Sequence, residues 1–352
     1  MPKPPVARPR LEDVARLAEV SLGSASRALS HPDEVKPKTL ERVRKAVAQL
    51  GYVRNGAASA LASRRTYSVG GIFPTLHNPA FAEAIHALQQ TLWSRQYQLV
   101  VASHEYVPER EYEVVRSVVE RGVDGVILVG TEHDEEIFDL LRHRKVPLVL
   151  TWASDTPRYG HGVGFSNHKA AYDLATQVIA HGHTRVAVAC GSRAYNERAR
   201  QRAGGIEDAL VEHGHSLPPQ WVIEQPLSYE GGREAVRRIA AMAERPTVLM
   251  CHTDTMAVGA LHECRVRGIR VPEDLSITGY DDIELASLTY PALTTVRVPT
   301  SEMGTLAAQC LLSLIENETP AEIAELGSKV VLRDSLARLE VKAGRKAKAA
   351  AR

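Results

Sequence analysis

The chain has 352 residues, 44% of them hydrophobic and 24% charged, with a formal net charge of +1. This composition belongs to a folded globular protein of about two domains plus a small module, and it excludes disordered and collagen-like classes. The near-zero charge hides a partition: residues 1–66 carry +7, residues 67–340 carry −11 and residues 341–352 carry +5. A basic head on an acidic body points to a head that meets a polyanion and a body that does not.

No apolar run approaches the roughly 20 residues that a membrane helix needs. The N-terminus lacks the apolar stretch of a secretory signal. Cys190, Cys251, Cys264 and Cys310 are dispersed, with no C-x-x-C pair. They read as buried, reduced thiols of a cytoplasmic protein.

In chain order, residues 1–10 hold four prolines and three basic residues and read as a disordered basic arm. Leu11, Val14, Ala15, Leu17 and Ala18 then recur at helical spacing. A second short helix starts near Ser21, an N-cap residue type, and runs to Leu29. His31-Pro32-Asp33 breaks the pattern. A third helix covers residues 38–50, with Gly51 as its stop. The Ala-rich stretch Gly56–Ser63 is a marginal helix, too short to stand alone in water.

From Tyr67 short apolar runs alternate with amphipathic helices. The runs are at 68–73, 98–102, 125–129, 147–152, 185–190, 247–251 and 275–278. The helices lie near 80–95, 109–121, 134–144, 167–181, 197–213, 230–244 and 254–267. Alternation of this kind implies parallel sheets with right-handed crossovers. A split near 162–166 gives two doubly wound halves. A last helix and strand, at 296–316 and 329–333, cross back between them. The expected fold class is therefore α/β: an all-α helix-turn-helix head plus two doubly wound parallel-sheet subdomains.

In the head, the second helix would present Ser21, Leu22, Gly23, Ser26 and Arg27 to a major groove, where Arg27 can pair bidentately with guanine. A merely solvated helical cap is the competing reading. The run Leu11-Glu12-Asp13-Val14-Ala15-Arg16-Leu17-Ala18-Glu19-Val20-Ser21, then Ser26-Arg27-Ala28-Leu29-Ser30, resembles the head of the LacI/GalR regulator family. The likeness continues through Leu50-Gly51-Tyr52-Val53-Arg54-Asn55 and Ala58-Ser59-Ala60-Leu61-Ala62, and over the body to about residue 338.

The resemblance implies a homodimeric regulator of palindromic operator DNA. Its domains would be a head at 11–55, a hinge at 56–66 and an effector and dimerisation domain at 67–340. That domain divides into one subdomain at 67–163 and 297–325 and another at 164–296 and 326–340, followed by a disordered basic tail at 341–352. The resemblance makes Leu61 the residue that wedges into the central base step, with Arg54, Asn55 and Ala58 beside it at the DNA. Leu61 packing against the body is the simpler alternative. Three positions depart from the family pattern. Glu19 replaces a turn glycine, Arg54 replaces a proline, and Leu22 and Gly23 carry no hydrogen-bonding side chain.

Doubly wound sheets bind ligands beyond the carboxyl ends of their strands. Phe73, Thr75, Asn78, Phe81, Trp152, Phe165, Arg198, Arg202, Tyr229, Thr253 and Asp281 are the candidate effector residues. By resemblance, Arg202 grips the effector, Arg198 matches an arginine of gluconate-repressor-like members, and Asp281 holds ligand hydroxyls. Thr253 and Trp152 stand where other members have Asn and a polar residue. Helix N-capping is the competing use of Asp254 and Asp281. Arginines clustered at 198–202 suit a carboxylate or phosphate, and Val163-Gly164-Phe165-Ser166-Asn167 with the helix at Ala80–Leu88 resembles the gluconate-repressor branch, so the expected effector is a sugar acid such as gluconate. A neutral sugar or a purine is the alternative.

Enzyme signatures do not surface: there is no G-x-S-x-G, P-loop or G-x-G-x-x-G after a strand. No cofactor, metal or catalytic residue is expected. His181-Gly182-His183 and His213-Gly214-His215 fit helix ends better than metal sites. An exported sugar-binding protein shares the body architecture, but the head and the missing signal oppose it. The tail has no leucine heptad, so a dimer is expected and not a tethered tetramer.

Overall fold

The structure, a computed structural model, describes residues 9–53, 65–153, 160–322 and 325–339. The chain forms two compact units, Met1–Thr66 and Tyr67–Arg352. Most of the basic arm, the tail, and the hinge positions Arg54, Asn55, Ala58 and Leu61 lie outside the described residues.

The first unit contains α1 (Leu11–Leu17), α2 (Leu22–Ser30) and α3 (Pro37–Leu50). The Ser21 hydroxyl accepts from the Ser24 amide at 3.1 Å and starts α2. Pro37 opens α3, and Gly51 closes it in the left-handed region at φ 59°. Val14, Ala18, Ala28, Val43 and Ala46 form the core, with every helix contributing. Alanine at three of these positions lets short helices approach closely enough to exclude water.

Glu19 adopts φ 50° in the turn between α1 and α2. A side chain there costs about 1–2 kcal/mol. The turn is held from α3, where Arg42 Nε donates to the Ala18 carbonyl at 2.8 Å and its terminal nitrogen bonds the Ala18 and Glu19 carbonyls. Those carbonyls are the orphan acceptors at the end of α1, which explains how a non-glycine turn persists.

The second unit runs β1 (Ser68–Phe73), α4 (Pro79–Ser94), β2 (Gln98–Ser103), α5 (Pro108–Glu120), β3 (Gly125–Val129), α6 (Glu135–Arg144), β4 (Leu148–Thr151) and β5 (His161–Val163). It continues with α7 (Asn167–Ala180), β6 (Val186–Cys190), α8 (Glu197–Glu212), β7 (Val222–Glu224), α9 (Tyr229–Ala241), β8 (Val248–Cys251), α10 (Asp254–Arg267) and β9 (Ser276–Thr278). The last elements are α11 (Glu284–Leu288), β10 (Thr295–Arg297), α12 (Thr300–Ile315) and β11 (Lys329–Val331).

Among the described residues the strands form a parallel sheet ordered β2-β1-β3-β4-β5 and another ordered β7-β6-β8-β9. β3 is buried along its whole length, as a strand covered by helices on both faces must be. β10 pairs antiparallel with β11. The chain passes between the sheets at 163–166, 297–299 and 325–333, and these segments lie side by side, as the Leu326 amide bond to the Gly164 carbonyl at 2.8 Å shows. α12 lies against the first sheet, where a Cβ added to Gly125 would sit 2.9 Å from Leu311.

Both sheets reverse their winding direction, the first between β1 and β3 and the second between β6 and β8. The loops that leave these strands diverge and open a crevice at each carboxyl edge. No helix among the described residues is long and apolar enough to cross a membrane.

Candidate functional site

In the head, Ser21, Leu22, Gly23 and Arg27 are exposed on α2, Ser26 is half-buried, and Ala25 and Ala28 face the core. The Ser21 hydroxyl is already engaged by Ser24, so its contribution outward is limited to its remaining lone pair and proton. The five expected recognition residues thus share one helix and its cap, four of them open to solvent.

In the second unit a narrow cavity of about 20 Å³ lies between the two sheets. Its lining comes from loops and helix starts after strand ends. β1 leads to Asn78 and Phe81, β2 to Tyr106, and β4 to Trp152. β6 leads to Asn196, Arg198, Ala199 and Arg202, β7 to Leu227, β8 to His252 and Thr253, and β9 to Asp281. The side chains of Asn78, Asn196 and Thr253 cap α4, α8 and α10. These helices therefore start at the cavity and bring their positive ends to it.

Arg202 is the hub. Its Nε donates to Asn167 Oδ1 at 2.9 Å, and a terminal nitrogen donates to the His252 carbonyl at 2.5 Å. Its guanidinium lies 3.8 Å over the Tyr280 ring. Asn167 in turn donates to the Trp152 carbonyl at 3.1 Å, so one chain of polar contacts runs from the second sheet to the first. Asn78, after β1, donates to Asp281, after β9, at 3.2 Å. Burial pushes the Asp281 carboxyl up to about 6, with the Arg202 charge and the Asn78 bond opposing. Asp281 also holds φ 117°, a strained backbone that its neighbours must enforce.

Arg198 lines the cavity and also bridges the two lobes. Its terminal nitrogen donates to the Val129 carbonyl at 3.1 Å and to Glu197 at 2.9 Å. Glu197 accepts from the Thr131 amide at 2.9 Å. Arg200 turns outward to Glu132. The first turn of α8 is thus latched onto the end of β3 across the crevice. Gly130, at φ 97°, makes room for it: an added Cβ would sit 2.0 Å from Arg198 and 2.3 Å from Glu197.

The structure assembles Asn78, Phe81, Trp152, Arg198, Arg202, Thr253 and Asp281 around one cavity. Phe73, Thr75, Phe165 and Tyr229 are not in its lining. Phe73 is fully buried behind Phe81, with ring centroids 5.9 Å apart. Phe165 stacks beneath Tyr280 at 6.5 Å and supports the Arg202 stack from below. Thr75 donates to Glu105 at 2.9 Å and shapes the loop after β1. Tyr229 begins α9 and is 48% exposed. Neither aspartate is a helix cap. Thr253 caps α10, while Asp254 accepts from the Ile283 amide at 2.8 Å and the Thr295 hydroxyl at 2.6 Å. Burial, reinforced by Asp281, pushes the Asp254 carboxyl up to about 7.

Tyr106, Asn196, Ala199, Leu227 and His252 complete the lining and were absent from the expected set. Position after a strand was the available signal for Asn196 and His252. β7, which leads to Leu227, has three residues and no readable period. Among the described residues no group of three or more His, Cys, Asp or Glu is arranged to hold a metal ion. His181 and His213 sit at the ends of α7 and α8, with Nδ1 at 2.7 and 2.8 Å from the Gln177 and Ala209 carbonyls. This is the helix-end use of histidine.

A three-helix head with an exposed recognition helix, joined to a cleft between doubly wound sheets, defines a ligand-responsive DNA-binding regulator. Residues 10–55 match the family described as bacterial regulatory proteins, lacI family, and residues 175–336 match the periplasmic binding protein-like domain. Catabolite control protein A of Priestia megaterium is 30% identical over 92% of this chain and 98% of its own. The HTH-type regulator GntR of Escherichia coli K12 is 32% identical over 89% and 93%, and the repressor PurR of Aliivibrio fischeri ES114 is 30% identical over 93% and 98%.

Among solved structures, a LacI-family regulator from Silicibacter pomeroyi superposes with TM-score 0.82 at 29% identity, covering 94% of this chain and 100% of that one. A lac repressor dimer bound to operator and an anti-inducer gives 0.80 at 25% identity, covering 94% and 99%. The chain belongs to the LacI family of bacterial transcriptional regulators, with an operator-binding head and an effector-binding body. These relatives are regulators and not enzymes.

Proposed function

We propose that this chain is a cytoplasmic, homodimeric repressor of palindromic operators and that a sugar acid such as gluconate, bound in the cavity, releases it from DNA. The observation that carries the effector class is the polarity of the cavity. Arg202 and the starts of α4, α8 and α10 supply positive potential to the cavity, while Asn78 and Asp281 offer hydroxyl partners. The likeness to GntR supports the same class.

Calorimetry with gluconate, glucose and hypoxanthine tests it: micromolar gluconate binding is expected, and binding of glucose or hypoxanthine alone would overturn it. A neutral sugar is the second reading, favoured because the Arg198 fork is partly occupied by Glu197 and the Val129 carbonyl.

The effector acts through its different affinity for two arrangements of the lobes, 67–163 with 297–325 and 164–296 with 326–340. The DNA contacts are Ser21, Leu22, Gly23, Ser26 and Arg27 in the groove, with Arg54, Asn55, Ala58 and Leu61 at the hinge. Leu61→Ala is expected to weaken specific operator binding by tenfold or more and leave non-specific binding within about twofold, since only the specific complex uses the wedge. Equal losses on both DNAs in a gel-shift titration would contradict the wedge.

Gly23→Ala separates folding from recognition. An added Cβ at Gly23 meets nothing within 4 Å, so the head accepts it. Helix propensity then adds up to about 1 kcal/mol of stability, while the methyl blocks close approach to the groove. The expected outcome is a higher Tm and operator affinity reduced about tenfold.

A further inference from the structure

His252 is 3% exposed and lines the cavity, yet neither ring nitrogen has a hydrogen-bond partner among the described residues. Each of the other polar side chains that meet at this cavity from α4 and α8 is engaged: Asn78 with Asp281 and with α4, Asn196 with α8, Arg202 with Asn167. Burial, with Arg202 and Arg193 adding positive charge, holds the imidazole down to about 3 and therefore neutral. A neutral imidazole carries one donor and one acceptor. A buried donor left without a partner is unfavourable, and in native proteins water, an ion or a bound ligand completes it.

We propose that His252 is a specificity-determining contact of the effector cavity and donates its ring N–H to the anionic end of the ligand, beside Arg202. Its backbone supports this placement. The His252 carbonyl already receives the Arg202 guanidinium, which seats both residues at one end of the cavity. The His252 amide donates to the Ala189 carbonyl at 2.9 Å and fixes the start of the loop after β8. Asp281, which repels an anion and suits hydroxyls, also lines the cavity. In this proposal a polyhydroxy acid turns its carboxylate toward the donors of His252 and Arg202 and its hydroxyls toward Asp281 and Asn78. The contact rests on the sugar-acid reading above for its ligand, but the missing partner of His252 does not.

The test uses the full-length chain, its His252→Leu and His252→Gln variants, and gluconate and glucitol as probes. Calorimetry is expected to show gluconate binding to the unsubstituted chain, a loss of tenfold or more in His252→Leu, and partial recovery in His252→Gln, whose amide restores a donor. Glucitol, which lacks the carboxylate, should change less than threefold. Gluconate binding within twofold in His252→Leu would overturn the proposal.

Apo melting temperatures separate this failure from that of the sugar-acid reading. If the unsubstituted chain binds neither probe, the sugar-acid reading falls and melting decides the role of His252. An apo Tm unchanged or raised by roughly 2–4 °C in His252→Leu supports a residue left unpaired for a ligand. A Tm lowered by that amount shows that the imidazole stabilises the fold and overturns the proposal.

Discussion

Arg202→Ala is expected to abolish the effector response while leaving apo operator affinity within about threefold. Arg202 is 8% exposed and joins Asn167, the His252 carbonyl and the Tyr280 ring, so it reaches three elements of the second lobe. Its charge is also the cation that restrains the Asp281 carboxyl from a further rise. Losing a charge-assisted bond to an anion removes about 1.5–3 kcal/mol of binding, or roughly ten- to a hundredfold. Truncation also strands the Asn167 amide oxygen and destabilises the body by about 1–3 kcal/mol. The DNA-binding head is a separate unit with its own core, so apo operator binding survives. Calorimetry and operator titration read the two effects separately. A variant that still releases operator at the usual effector concentration would show that the cavity is misassigned.

Gly130→Ala is expected to spring the latch between α8 and β3. The added methyl collides with the ends of the Arg198 and Glu197 side chains, which are free to rotate away, so the sheets survive and the latch does not. The variant loses the Arg198 bond to Val129 and the Glu197 bond to Thr131, and alanine at φ 97° adds strain of about 1–2 kcal/mol. The effector then has to rebuild lobe closure on binding, and its affinity should fall about tenfold or more. Small-angle scattering should show a larger radius of gyration for the apo variant than for the unsubstituted chain. Unchanged effector affinity together with an unchanged radius would show that the latch carries no closing free energy.

Much of this was legible in the sequence. The strands β1, β2, β3, β4, β6, β8 and β9 and the seven helices from α4 to α10 follow from the alternation of apolar runs with amphipathic segments. What escaped was short: β5, β7, β10 and α11 have three to five residues, fewer than one period needs. Glu19 at positive φ was legible as a departure from the family's turn glycine, but its compensation by Arg42, 23 residues away, is a tertiary fact.

At the cavity, counting forward from strand ends located seven of the eleven expected residues. The other four lie outside the lining for separate reasons. Phe73 and Phe165 are aromatic supports one layer deeper, Thr75 is consumed by Glu105, and Tyr229 faces solvent. Arg198 shows the limit most clearly. Its position in sequence marks it for the cavity, but its latch to Val129 depends on a glycine 68 residues earlier. Spacing along one helix does not reveal such a partner.

The central claim is that one chain couples the cavity to operator affinity. Fluorescence anisotropy of the full-length protein on a palindromic duplex selected from a random-sequence pool, titrated with gluconate, tests it most directly. Operator affinity is expected to be at least tenfold weaker at saturating gluconate. Unchanged affinity, with gluconate shown by calorimetry to be bound, would contradict it.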